Sequence, residues 1–205
     1  MTISTAETIE RFRERAVTLP PWLQAHIGRV VSEGRRLAQI HEIDVERVQA
    51  GAWGHDLHRA DSVDQLLAGA TQFGLEPSLE EQTAPILLHG PLAAAEAEQA
   101  WGLTDPDILE AIRWHTVARP NLSAVALAVF VADKIEPQKI EANPALLPVR
   151  ALAQHDLPTA MAALLDQILL AQIANGLVVH PSTAQARTHY LAELARRPAA
   201  GSGLA

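Results

Sequence analysis

The most informative stretch for the fold is AGAWGHDLHR, residues 50–59. In it, a run of small and apolar residues ends in a His-Asp doublet, His55-Asp56. An imidazole and a carboxylate placed together in this way are ligands that a borderline divalent metal prefers. A doublet alone is weak evidence. The chain contains a second one, His155-Asp156, on a polar stretch before Pro158, and we interpret that doublet as a solvated helix end.

Partners on both sides set the first doublet apart. In chain order, they are His26, His89, His115 and Asp133. The series His…His-Asp…His…His…Asp offers enough donors for two divalent ions, and two-metal sites of this kind hydrolyse bonds at phosphorus. Taken singly, each histidine could equally be structural, for example His115 as a cation at a helix C-terminus. Asp133 follows the apolar run AVFVA, where an unpaired carboxylate would be costly to bury.

The composition favours packed helices in one domain. The chain has 205 residues, of which 48% are hydrophobic but only 4% aromatic, and this balance suits helices better than strands. The absence of cysteine excludes disulfides, thiolate zinc sites and cysteine nucleophiles. A formal net charge of -8 argues against a nucleic-acid groove. It does not argue against a phosphate substrate, since bound divalent ions would make the pocket itself cationic.

The N-terminal sequence MTISTAETIERFRER has no apolar core and no cleavage signature. No apolar run of the sequence approaches the length that we expect of a membrane span. We therefore expect a cytoplasmic protein whose partner is a small molecule, with neither a membrane nor a nucleic acid as partner.

Hydrophobic periodicity predicts an all-α fold, because apolar positions recur three and four residues apart. We place the most regular helices at 5–17, 22–40, 44–56, 63–72, 157–175 and 182–196. Asp105-Pro106 begins a helix that carries His115, and Ser123 caps the run AVALAVFVADKI that carries Asp133. Pro137 and the prolines at 144–148 are expected to bracket a loop.

These elements form a single domain in which the candidate ligands lie at or near the ends of different helices. We divide the chain into an N-terminal helix and linker (1–21), a helical-bundle domain with a metal centre in its core (22–196) and a disordered tail (197–205).

Six segments carry a family resemblance: HIGRV (26–30), HDLHR (55–59), ILLHGPLAA (86–94), ILEAIRWHTVARPNLS (108–123), VFVADKIEP (129–137) and VHPSTAQAR (179–187). They resemble the HD superfamily of metal-dependent phosphohydrolases, and more closely its YqeK-type branch, the symmetrical bis(5′-nucleosyl)-tetraphosphatases. The resemblance covers about residues 22–190. The LLHGP, HT..RP and ADxIEP motifs together are more specific than the doublet.

The resemblance implies a helical enzyme that hydrolyses diadenosine tetraphosphate to two ADP by attack of a metal-bound hydroxide. Two divalent ions would take part. Iron is the metal that the family implies, while the ligand chemistry leaves manganese and cobalt open. By motif match, the first ion would be bound by His26, His55, Asp56 and Asp133. The second would be bound by Asp56, His89 and His115, so that an ionised Asp56 bridges the two.

An anionic substrate also needs cations and hydrogen-bond donors around the metals. The expected contacts are Arg59, Gly90, Thr116, Arg119, Lys139, His180, Ser182 and Thr183. Arg59 stands where the family usually has Lys, and we assign it a catalytic role beside Asp56. The alternatives are a solvated helix-end arginine for Arg59 and ordinary helix capping by Ser182.

The chain departs from the family pattern beside its first histidine. It reads LQAHI at 23–27, where the family usually reads RYEHT or RYEHS, so a substrate-contacting arginine is replaced by Leu23. Lys134 stands in place of a tyrosine and Leu122 in place of a methionine. Three alternatives therefore stay open: a phosphohydrolase for another nucleotide or phosphate ester, a non-catalytic nucleotide-binding regulatory module, and a helical interaction protein. A homodimer through an apolar helix at 160–174 is also open.

Overall fold

Residues 3–197, the part of the chain that the computed structural model describes, form twelve α-helices and contain no strand. The helices are α1 (Thr5–Ala16), α2 (Pro21–Ile40), α3 (Val45–Gly54), α4 (Val63–Gln72), α5 (Leu79–Thr83), α6 (His89–Gln99), α7 (Pro106–Trp114), α8 (Ala124–Ile135), α9 (Pro137–Ala142), α10 (Leu147–Leu152), α11 (Leu157–Ala174) and α12 (Pro181–Arg196). The all-α class is confirmed. Except for Arg197, the tail that we expect to be disordered lies outside the described residues.

Local capping signals determine where the helices begin. Ser62 accepts a hydrogen bond from the main-chain N–H of Gln65, whose side chain bonds back to complete a capping box at the start of α4. Ser123 caps α8, and Asp105 caps α7 with Pro106 at the first helical position. These three helix starts agree with the sequence prediction.

The segment between α8 and α11 is not the loop that its prolines suggest. Pro137 begins α9, Pro144 begins a 3₁₀ turn (Pro144–Leu146), and Pro148 lies in the first turn of α10. Proline is tolerated in the first turn of a helix because its fixed φ fits there and its missing N–H has no helical partner to lose. The prediction of a loop was wrong because it treated these prolines only as helix breakers.

Two boundaries near the site also differ from the sequence prediction. Helix α3 ends at Gly54, so that His55 and Asp56 leave the helix instead of ending it. Helix α6 was not predicted. It begins directly at His89, after a 3₁₀ turn at Pro85–Leu88, and its second and third residues are Gly90 and Pro91, which are more typical of turns.

Helix α8 lies at the centre of the core and packs against α2, α3, α7 and α11. All of its residues from Val125 to Asp133 are buried. Close packing of α3 depends on Gly51, because a Cβ atom there would lie 2.8 Å from Ala111 and 3.2 Å from Val129. The candidate ligands therefore belong to helices that pack directly on one another.

Helix α1 packs against α3, and the fully buried Phe12 lies against Trp101 with ring centroids 5.4 Å apart. The N-terminal helix thus shares the core of the domain. The division of the chain at residue 22 stays a prediction.

Helix α11 is more apolar than the sequence analysis allowed. Its 18 residues have a mean hydropathy of 1.4, which by length and composition is enough to cross a membrane. The expectation that no run approaches that length was therefore wrong. The buried residues of α11 lie in its N-terminal half, where it contributes Met161 and Leu165 to the core, whereas Leu170 and Ile173 are exposed. The buried half behaves as a core helix of the domain.

Candidate metal centre

Three of the predicted ligand histidines are oriented by the helix end or helix start at which they lie. His55 follows α3, His115 follows α7, and His89 begins α6. In each case Nδ1 lies 2.5–2.7 Å from the main-chain carbonyl oxygen three residues earlier. Since a carbonyl only accepts, Nδ1 carries the hydrogen and Nε2 presents its lone pair. Metal-binding histidines are commonly held in this way.

His26, on α2, is oriented by a carboxylate instead. Its Nδ1 lies 3.3 Å from Oε1 of Glu136, which is only 1% exposed. Glu136 in turn accepts a hydrogen bond from Nε of Arg29 at 2.7 Å and one from the main-chain N–H of Gln138 at 2.8 Å. Neither Glu136 nor Arg29 was predicted as a site residue. The available signal was the three-residue spacing that puts Arg29 on the same helix face as His26.

Asp56 lies between all four histidines. Its Oδ2 is 3.4 Å from Nε2 of both His26 and His55, and its Oδ1 is 3.1 Å from Nε2 of His89 and 3.3 Å from Nε2 of His115. All five residues are buried. They form two groups that could each hold a metal ion, and Asp56 belongs to both groups.

Asp133 extends the first group, since its Oδ1 lies 3.1 Å from Nε2 of His26. The only two lysines of the chain both pair with it. Nζ of Lys139 is 2.8 Å from Oδ1, and Lys134 contacts Oδ2 while donating to the main-chain oxygen of His115 at 3.0 Å. These two cations offset the cost of burying the Asp133 carboxylate.

Both carboxylates are ionised. Burial by itself raises the pKa of Asp56, but the interactions of its carboxylate with His55, His115 and His26 outweigh burial and hold the pKa well below its usual range. For Asp133 burial again opposes ionisation, and the charges of Lys134 and Lys139 keep the pKa low. The ionised form is the one that binds metal.

The histidines differ in protonation. Burial lowers the pKa of His115 to about 3, so its imidazole is neutral and free to bind a metal. Burial also lowers the pKa of His26, but hydrogen bonds to Asp133 and Asp56 outweigh it and raise the pKa to about 9. A metal ion at His26 would therefore displace a proton.

His55 shows that the residues fit a metal. Its Nε2 is buried and has no hydrogen-bond partner among residues 3–197, which costs about 1–3 kcal/mol for an ordinary polar group. The Nε2 atoms of His89 and His115 lie 2.8 Å apart although both present lone pairs. Cations held by the two groups would satisfy all three nitrogens. Imidazole and carboxylate donors without thiolate suit divalent transition metals.

A cavity of about 710 Å³ opens over this cluster. Its lining includes four cationic side chains and three carboxylates, namely Arg29, Arg59, Lys134, Lys139, Asp56, Asp133 and Glu136. The cavity is thus locally cationic within a chain of net charge -8. Such a cavity suits an anionic ligand.

Three of the predicted substrate contacts line this cavity. Thr116 places its Oγ1 3.1 Å from Nε2 of His115 and 3.2 Å from Nε2 of His89. Lys139 reaches the cavity from α9. Arg59 is exposed there, and no carboxylate among residues 3–197 forms an ion pair with it, so its guanidinium is available to a ligand.

Gly90 and Arg119 lie outside the cavity lining. A Cβ atom on Gly90 would lie 2.9 Å from the main-chain oxygen of Ile112, so glycine permits the close approach of α6 to α7. Arg119 pairs with Glu110, which also accepts a hydrogen bond from the main-chain N–H of Ser123 at 2.7 Å. The structure thus gives Gly90 a packing contact and Arg119 an ion pair.

The predicted contacts at the start of α12 also lie outside the cavity lining. His180 caps the helix by accepting a hydrogen bond from the main-chain N–H of Ser182 at 3.1 Å. The cap is therefore His180 and not Ser182. Thr183 is 1% exposed and donates to the main-chain oxygen of Val117, which ties α12 to the chain after His115.

An all-α domain that gathers four histidines and two aspartates under a cationic cavity defines a class of helical domains suited to bind divalent metals. Within that class, the model of the HD domain matches residues 23–138, more than half of the chain. The chain belongs to the HD domain family, and the predicted resemblance is confirmed.

Two curated relatives carry the name symmetrical bis(5′-nucleosyl)-tetraphosphatase. The protein of Staphylococcus aureus (strain NCTC 8325 / PS 47) is 32% identical over 119 residues, which are 58% of this chain and 61% of that protein. The protein of Bacillus subtilis (strain 168) is 28% identical over 158 residues, 77% of this chain and 83% of that protein. The match to the first thus spans about three fifths of its length.

A solved structure has the same fold. It is the crystal structure of a predicted HD superfamily hydrolase involved in NAD metabolism from Clostridium acetobutylicum. Its TM-score with this chain is 0.82 at 26% sequence identity, and the match covers 94% of this chain and 100% of that one. The helical architecture is therefore common to both proteins.

Proposed function

We propose that the chain is a metal-dependent phosphohydrolase that cleaves diadenosine tetraphosphate symmetrically into two ADP. The observation that carries the proposal is the position of Asp56, whose two carboxylate oxygens face two different pairs of histidines. A carboxylate shared in this way suits a pair of ions and a reaction at phosphorus. The names of the curated relatives support the nucleotide substrate.

The proposed ligands are those of the sequence prediction. His26, His55, Asp56 and Asp133 hold one divalent ion, and Asp56, His89 and His115 hold the other. Ions bound there would activate water and polarise phosphoryl oxygens. Iron is the metal that we propose, and manganese or cobalt would suit the same donors.

The cavity residues bind and orient the phosphate chain. Arg59 offers a planar fork of donors with no carboxylate partner among residues 3–197, and Lys139 and Lys134 add two point charges beside Asp133. Water adds to the inner phosphorus of one half of the substrate. The bond from that phosphorus to the central bridging oxygen breaks, so the first ADP keeps the oxygen of water, the second ADP leaves with the bridging oxygen, and the proton of water is released.

The usual arginine of the family is replaced by Leu23 in this chain, and this replacement leaves open a substrate other than diadenosine tetraphosphate. It is fully buried and does not line the cavity. Arg29, six residues further along α2, does line the cavity and supplies a cation there. A phosphohydrolase for another nucleotide or phosphate ester is the alternative that this difference supports. A cytoplasmic location and a homodimer stay predictions.

The test is anaerobic purification, elemental analysis and an assay with diadenosine tetraphosphate whose products are separated by chromatography. We expect about two metal ions per chain and ADP as the sole product. ATP and AMP as products would contradict symmetric cleavage. Bound metal without any release of ADP would favour the alternative substrate, and a protein without bound metal would overturn the proposal.

A further inference from the structure

His58 is a buried histidine that lies outside the two groups of candidate ligands. It belongs to the turn at 55–60 that follows α3, two residues after Asp56, and is 8% exposed. Its Nδ1 lies 2.6 Å from Oδ2 of Asp61, and its Nε2 lies 2.9 Å from Oε2 of Glu96 on α6. Since an ionised carboxylate only accepts, both ring nitrogens must carry a hydrogen. The ring of His58 is therefore a cation held between two carboxylates.

The turn that carries His58 meets helix α6 at two points. At the first, Oδ1 of Asp56 lies 3.1 Å from Nε2 of His89, the first residue of α6. At the second, His58 pairs with Glu96, which follows His89 by seven residues. Residues seven apart lie on nearly the same face of a helix, about two turns from each other. The turn therefore lies along one face of α6, joined to it within residues 3–197 by these two polar side-chain contacts.

The second contact determines the orientation of the turn. One contact alone would leave the turn free to rotate about it, whereas two contacts hold it in a single orientation relative to α6. Asp56 and Arg59 both belong to the turn, so this orientation sets where they lie relative to His89. A buried ion pair adds little net stability, because its charges lose their hydration, and its best-supported role is to specify one arrangement.

We infer that His58 is a positioning residue of the metal centre, which through Glu96 holds the turn that carries Asp56 and Arg59 against α6. The inference rests on the proposed function for the ion that Asp56 and His89 would share. His58 acts through other residues, since its two nitrogens are occupied by carboxylates and it does not line the cavity. Removal of a residue that orients metal ligands usually weakens metal binding by about 10- to 100-fold.

The experiment is the extraction of metal from the metal-loaded protein by a chelator, followed by elemental analysis. Glu96→Ala removes the contact with α6 and leaves the one between His58 and Asp61. We expect this variant to lose half of its metal at about tenfold lower chelator concentration than the wild type. Glu98→Ala is the matched control, because Glu98 is exposed on the same helix and its substitution removes the same charge. It should retain metal like the wild type.

Two amides at position 58 separate the two contacts of the ring. The amide nitrogen of glutamine reaches about as far along the side chain as Nε2, so His58→Gln can still donate to Glu96. The amide nitrogen of asparagine reaches only about as far as Nδ1, so His58→Asn can donate to Asp61 alone. We expect His58→Gln to retain metal within about threefold of the wild type, and His58→Asn to lose it as readily as Glu96→Ala.

A merely structural role predicts a different result. Thermal melts of Glu96→Ala and His58→Asn would then be lowered, while the folded proteins, identified by circular dichroism, would retain metal like the wild type. That result would overturn the positioning role. So would equal retention of metal in His58→Gln and His58→Asn, because only the contact with Glu96 distinguishes these two variants.

Assays with diadenosine tetraphosphate on the same preparations separate this inference from the proposed function. If the wild type releases ADP and Glu96→Ala keeps both its metal and its kcat, the positioning role is wrong and the function stands. If metal retention follows the expected pattern but the wild type releases no ADP, the hydrolytic function is wrong and the positioning role stands.

Discussion

Nε2 of His89 and Nε2 of His115 lie 2.8 Å apart, and each ring donates its Nδ1 hydrogen to the main-chain oxygen three residues earlier. Two lone pairs at this distance repel each other unless a cation lies between them or beside them. The helices that carry these rings are fixed by packing, since Gly90 allows α6 to approach α7. The fold thus holds two ligands in a geometry that a metal would stabilise.

Asp56→Ala should abolish turnover and lower the metal content, because it removes the one carboxylate that faces both pairs of histidines. Helicity by circular dichroism should stay largely intact. His155→Ala is the control from the second doublet. His155 is exposed, and this variant should leave turnover and metal content unchanged. Normal turnover in Asp56→Ala would contradict the mechanism, and loss of turnover in His155→Ala would mean that the wrong doublet was chosen.

Glu136→Gln should weaken metal binding by about 10- to 100-fold, the usual effect of removing a residue that orients a metal ligand. The neutral amide attracts the Nδ1 hydrogen of His26 less strongly than the carboxylate does. The substitution also removes the ion pair between residue 136 and Arg29. Competition with a metal chelator measures the change in affinity. Arg29→Lys should retain more affinity than Arg29→Ala if the cation acts through Glu136. Equal affinity in the wild type and Glu136→Gln would contradict a positioning role.

Arg59→Ala should raise KM for the polyphosphate substrate by about 10- to 100-fold, because one charge-assisted contact is worth about 1.5–3 kcal/mol. Arg119→Ala is the comparison, since Arg119 pairs with Glu110 outside the cavity. It should lower the free energy of unfolding and leave KM unchanged. Steady-state kinetics measure the change in KM and thermal melts the change in stability. A raised KM without loss of stability in Arg119→Ala would indicate that Arg119 contacts the substrate.

Gly90→Ala should destabilise the fold by about 1–3 kcal/mol, since its Cβ would lie 2.9 and 3.0 Å from the main-chain oxygens of Ile112 and Arg113. Activity should fall with it, because the Cβ also meets the His115 ring at 3.1 Å. Gly28→Ala is the matched control. Gly28 is exposed within α2 with no atom within 4 Å of an added Cβ, so alanine should stabilise by about 0.5–1 kcal/mol. Denaturant unfolding measures both, and a neutral Gly90→Ala would contradict the packing role.

Asp156→Asn should reduce the acid sensitivity of folding. Asp156 accepts from the main-chain N–H of Thr159 at the start of α11 and pairs with Arg197 at 2.7 Å. Burial raises its pKa, but these interactions outweigh it and lower the pKa below 3.8. A lowered folded-state pKa means that the stabilisation is present above the unfolded pKa and is lost as pH falls through the folded one.

Unfolding measured from pH 7 down to pH 2 should therefore show a smaller loss of stability in Asp156→Asn than in the wild type. Asp156→Ala should cost about 0.5–2 kcal/mol at pH 7 as the loss of a helix cap. Metal content and turnover should stay normal in both variants. An identical pH dependence in wild type and Asp156→Asn would contradict the stated cause.

The sequence by itself determined the helical class and the identity of the candidate ligands. Periodicity and capping signals such as Ser62 with Gln65 are local, because a helix satisfies its backbone within a few residues. Helix ends are also set by local signals, and the interpretation of His155-Asp156 as a helix end agrees with the structure, where Asp156 caps the start of α11. The family was indicated by the order of the candidate ligands, which is His26, the doublet, His89, His115 and Asp133. The HD domain match confirms this family.

Only the tertiary structure decided which residues share the cavity. Glu136 and His26 are 110 positions apart, and Gln172 and Trp22 lie on helices whose packing no local pattern encodes. The family motifs also suggested Gly90, Arg119 and Thr183 as substrate contacts. These residues lie outside the cavity lining, where Gly90 permits a close helix approach, Arg119 forms an ion pair and Thr183 a hydrogen bond, and their role in substrate binding stays a prediction. The sequence specifies which side chains are present, but which of them face one another depends on the long-range packing of whole helices.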